Sequence, residues 1–72
     1  MQVEIFSTNI NSSKQANIII GLIHLCFPHL SAHVDLFDSD HVLRIETNHG
    51  RLNPYEISQY IQTLGFKAQL IK

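Results

Sequence analysis

Tryptophan is absent from this sequence and cysteine occurs once, at Cys26. A lone cysteine excludes an intramolecular disulfide, so a reducing, cytoplasmic setting is the expectation. Charge is sparse as well. Five Lys and Arg against six Asp and Glu leave a net −1, which gives no electrostatic case for nucleic acid or for an anionic membrane. Long hydrophobic runs are missing: Ile18 to Phe27 falls short of the ~20 apolar residues of a membrane span and contains His24. The first residues, Met-Gln-Val-Glu-Ile-Phe, have neither a basic n-region nor a cleavage site, so no signal peptide is expected. Together these absences predict a small soluble domain, and 72 residues allow one domain with one core spanning residues 1–72.

What is present is periodicity. Gln2 to Phe6 alternates, with Val3 and Ile5 expected on one face of a strand and Glu4 and Phe6 on the other. Ser12 followed by Gln15 is a capping-box pattern that starts a helix, and Pro28 ends it. Within that helix Ala16, Ile19, Ile20, Ile23, Cys26 and Phe27 share one side, with Lys14, Asn17, Gly21 and His24 opposite. Ile18, Leu22 and Leu25 widen the apolar arc beyond what a sheet alone needs, which predicts contact with a second helix. Leu30 to Phe37 and His41 to Thr47 read as a hairpin around Asp38-Ser39-Asp40, with Leu43 and Ile45 inward. Asn53-Pro54-Tyr55-Glu56 caps a second helix with its stripe at Ile57, Tyr60, Ile61 and Leu64; Gly65 terminates it, and Phe66 to Ile71 forms a last strand.

This order of strand, helix, strand, strand, helix, strand predicts an α+β fold: a ferredoxin-like βαββαβ sandwich, four antiparallel strands with both helices on one face. By parity the free face would carry Glu4, Phe6, His33, Asp35, Phe37, Val42, Arg44, Glu46, Lys67, Gln69 and Ile71. If Phe6, Phe37, Val42 and Ile71 cluster there, they mark a contact with another protein or a second copy. Isolated surface hydrophobes are the ordinary alternative.

Catalytic chemistry has little footing. No carboxylate is isolated in an apolar pattern, and there is no serine–histidine–acid motif or glycine-rich phosphate loop. An acylphosphatase of this topology needs an arginine after its first strand, and Ser7 to Lys14 has none. An RNA-binding sheet would place aromatics on both central strands, whereas the third strand offers Val42 and Arg44. Five histidines raise the question of metal. His29 and His33 are four apart in a strand, roughly 13 Å along its axis and too far for one ion. Cys26 reads as a small buried hydrophobe, and His41 and His49 as solvated loop residues.

The chain resembles the heavy-metal-associated (HMA) domain family, the fold of copper chaperones and of N-terminal modules of metal-transporting ATPases. The resemblance rests on Val34-Asp35-Leu36, on Val42-Leu43-Arg44-Ile45, and on Ile57 through Leu64-Gly65-Phe66-Lys67-Ala68. It implies a metal loop, Met-x-Cys-x-x-Cys, after the first strand. In this sequence the methionine position is Asn9 and the two cysteine positions are Asn11 and Lys14. An amide and an ammonium cannot replace thiolates around monovalent copper. The expectation is therefore a non-enzymatic domain with a degenerate metal loop, no cofactor and an interaction role. The alternative is a chaperone-like protein holding zinc or copper through His29, His33 or His49.

Overall fold

The computed structural model describes residues 1–71; Lys72 lies outside the described residues. The elements are β1 (Gln2–Thr8), α1 (Ser13–Cys26), β2 (Ser31–Asp35), β3 (Val42–Thr47), α2 (Pro54–Thr63) and β4 (Ala68–Leu70). The strands form one antiparallel sheet in the order β2-β3-β1-β4. The hairpin of β2 and β3 is as the alternation predicts, although both strands are shorter. Leu36 and Phe37 belong to the turn, and His41 lies before β3 with φ of 47°. That left-handed backbone, uncommon for a residue with a Cβ, is tied down by His41 N donating to Asp38 O and by the ring Nδ1 meeting Ile10 O.

Both helix starts are built as their sequences dictate. Ser12 is extended, and its Oγ accepts from Gln15 N at 3.1 Å. The Gln15 side chain reaches back one residue further than in the usual capping box, accepting from Asn11 N. Asn53 Oδ1 accepts from Tyr55 N and Glu56 N, with Pro54 just inside the helix. Asn53→Ala is expected to cost about 1 kcal/mol, read from the urea midpoint, because two backbone donors lose their acceptor. At the other end of α2, Phe66 N bonds Ile61 O and Gly65 N bonds Gln62 O, a Schellman closure that needs the positive φ of Gly65 (94°).

One core cluster joins sheet and helices. Ile19 and Ile23 of α1 and Ile57 and Ile61 of α2 meet Phe6, Leu43 and Ile45, with Ile10, Leu30 and Leu52 sealing it from the loops. The parity of β1 is the reverse of the expectation. Phe6 is fully buried, whereas Val3 and Ile5 are 39% and 37% exposed. The register decides this. Phe6 sits opposite Leu43 on β3 and Leu70 on β4, and Glu4 sits opposite Ile45, so these positions face the core. Glu4 is half-buried at its margin.

The broad apolar arc of α1 is not consumed by α2 either. Ile18 and Leu25 are 53% and 77% exposed, and Cys26 is exposed instead of buried. The helices also meet at the end of α1. There the Phe27 and Tyr60 rings meet edge-on at 5.6 Å, and the Cys26 thiol donates to the Tyr60 hydroxyl at 3.1 Å.

Candidate functional site

The loop between β1 and α1 is where the family resemblance puts a metal, and here it is closed upon itself. Thr8 Oγ1 accepts from Ile10 N and donates to His41 O; Asn9 Oδ1 accepts from Lys67 N at 2.8 Å. Ile10 turns inward and is fully buried. Asn11 and Lys14 are both exposed, and their backbones belong to the helix cap. The loop thus spends its polar groups on itself, on His41 before β3 and on Lys67 before β4. Ile10, which the sequence reading did not single out, is its anchor, and a lone isoleucine in a polar stretch was the available signal.

The candidate histidine ligands are dispersed. His33 is exposed at the middle of β2 and lines a shallow hollow with Val34, Asp35, Val42 and Arg44. His29 and His49 line another hollow, of about 210 Å³, with Met1, Ser31 and Glu46. The hollow is also lined by Thr47, buried, whose Oγ1 accepts from His49 N and has two carbonyls within reach of its one proton, that of His49 and, farther off at 3.3 Å, that of His29. His29 Nε2 is within hydrogen-bond reach of Arg51 O, at 3.1 Å. Among the described residues, no three His, Cys, Asp or Glu side chains come together as one ion-sized group. Near the end of α1, the hydrogen bond with Cys26 is the main reason the Tyr60 hydroxyl titrates above the ordinary 10, with desolvation second.

The expected interaction face changes membership. Phe6 leaves it, being core, and Val3 and Ile5 take its place. Ile71 is 42% exposed, and its N–H donates to Ile5 O, so these two are neighbours across the β1–β4 edge. Ile5 lies opposite Arg44, and Val3 opposite Glu46. Arg44 and Glu46 form an ion pair at 3.3 Å on β3, so this face is polar at β3 and β2, while Val3, Ile5 and Ile71 make an apolar group with the exposed Gln69 of β4 beside it. Val42 is half-buried at the polar side, opposite Asp35. Phe37 is fully exposed in the β2–β3 turn, apart from this cluster in sequence and element.

No family model matches the chain. No curated protein matches it either. No helix among the described residues is long and apolar enough to cross a membrane.

Proposed function

We propose that this chain is a non-enzymatic binding module of the heavy-metal-associated type, ferredoxin-like, with both helices on one face of the sheet. Its metal loop has become structural, and the opposite face, at Val3, Ile5 and Ile71, meets another protein or a second copy. The observation that carries this reading is the self-bonded loop from Thr8 to Gln15, with an exposed amide and an exposed ammonium at the two thiolate positions. The strand order β2-β3-β1-β4 and the Schellman turn at Gly65 support the architecture.

A second reading, zinc or copper held through histidine, is favoured by one observation: His29 and His49 share a hollow with Glu46. Calorimetric titration of the intact chain with zinc, divalent copper and monovalent copper separates the two. The expected result is no binding tighter than about 1 μM. Tighter binding that disappears on replacing His29, His33 or His49 overturns the first reading and establishes the second.

A further inference from the structure

The sheet ends in two edges, β2 and β4. Only one of them is guarded. β4 is three residues long and follows the exposed Lys67, and a short strand beside a lysine discourages further pairing. β2 is five residues long and carries neither lysine nor proline. Its backbone is engaged by β3 on one side, and among the described residues no other backbone hydrogen bond reaches Ser31–Asp35. Two exposed side chains of opposite character, His33 and Asp35, stand two residues apart on one face of this edge.

We propose that a second copy of this chain pairs antiparallel with β2 about a two-fold axis at Val34. In that register His33 lies opposite the second copy's Asp35, and Asp35 opposite its His33, so one patch complements itself. Within β2 this register pairs His33, Val34 and Asp35 with Asp35, Val34 and His33 of the second copy; Leu36 and the fully exposed Phe37 follow in the turn beyond the ladder. Moving the axis to His33 would oppose each histidine to itself and each Asp35 to a serine, so charge selects the first register.

The groups around this edge are compatible with the pairing. Arg44 lies opposite His33 on β3, placing its positive charge behind the imidazole that meets the incoming carboxylate, while Glu46 engages the guanidinium at 3.3 Å. Asp35 Oδ1 accepts from Phe37 N at 3.0 Å, and its other oxygen has no partner among the described residues. The proposal uses the sheet edge and does not depend on the occupant of the apolar face at Ile5 and Ile71.

Sedimentation equilibrium at neutral pH and low salt, from micromolar to about 1 mM protein, tests it. The expected result is a dimer of the unaltered chain, weakened at least about tenfold by Asp35→Lys and recovered to within about threefold by His33→Asp with Asp35→Lys. Both variants lose the bond from Phe37 N, so the comparison between them isolates the charge pairing. Both positions are exposed, and circular dichroism verifies that each variant folds. A chain that stays monomeric throughout overturns the proposal. So does a dimer indifferent to Asp35→Lys, or a double variant that does not recover.

Discussion

Phe6→Ala is expected to lower the unfolding free energy by about 3–5 kcal/mol, measured by urea denaturation. The side chain is fully buried between Leu43 and Leu70 on the neighbouring strands, within the cluster that holds both helices. Its truncation removes the largest side chain of that cluster from the middle of the sheet. At about 0.05–0.15 kcal/mol per residue, a chain of this size has little stability beyond that loss. If the alanine variant does not fold at all, Phe6→Leu keeps a measurable transition with a smaller deficit. The control is Ile5→Ala, whose side chain is 37% exposed on the other parity and should cost roughly 1 kcal/mol or less. Equal losses at the two positions, or a larger loss at Ile5, would contradict the register of β1.

The second expected result is a gain of binding. Asn11→Cys combined with Lys14→Cys should bind monovalent copper at least about a thousandfold more tightly than the intact chain, since paired thiolates suit a soft cation. The loop tolerates the change on structural grounds. Both side chains are exposed, and the bonds that shape the loop come from the Asn11 backbone, from Ser12 and from Gln15, all retained. Removing Lys14 also takes a positive charge away from the cation's position. A thiolate at the start of a helix is favoured by its dipole, which helps the sulfurs ionise. Competition with a copper(I) chelator measures the affinity, and circular dichroism checks the fold. A folded double variant that binds no better than the intact chain would separate this loop from the one the resemblance implies.

Much of the architecture was legible in the sequence because its signals are local. Ser12 with Gln15, Asn53 with Pro54, and Gly65 each specify a helix end through hydrogen bonds made within a few residues, and all three ends form where read, with the Gln15 side chain bonding Asn11 N in place of Ser12 N. The alternation of β2 is equally plain: Ala32 and Val34 are partly buried, and Ser31, His33 and Asp35 are exposed. The hairpin follows from proximity in the chain. The candidate site was less legible. Asn11 and Lys14 could be located by matching positions, but the bond from Asn9 to Lys67 joins residues 58 apart and could not be anticipated from either.

The sequence by itself determined the order and kind of the elements, the caps that bound them and the absence of any thiol between Ser7 and Lys14. Tertiary structure alone decided which face of β1 is buried. Val3 and Ile5 on one parity and Phe6 on the other are all apolar, so a period of two cannot choose between them, whereas the opposing Leu43 and Leu70 do. It also decided that Ile18 and Leu25 stay exposed. Periodicity measures how wide an apolar stripe is, but how much of it is covered depends on where the neighbouring elements lie.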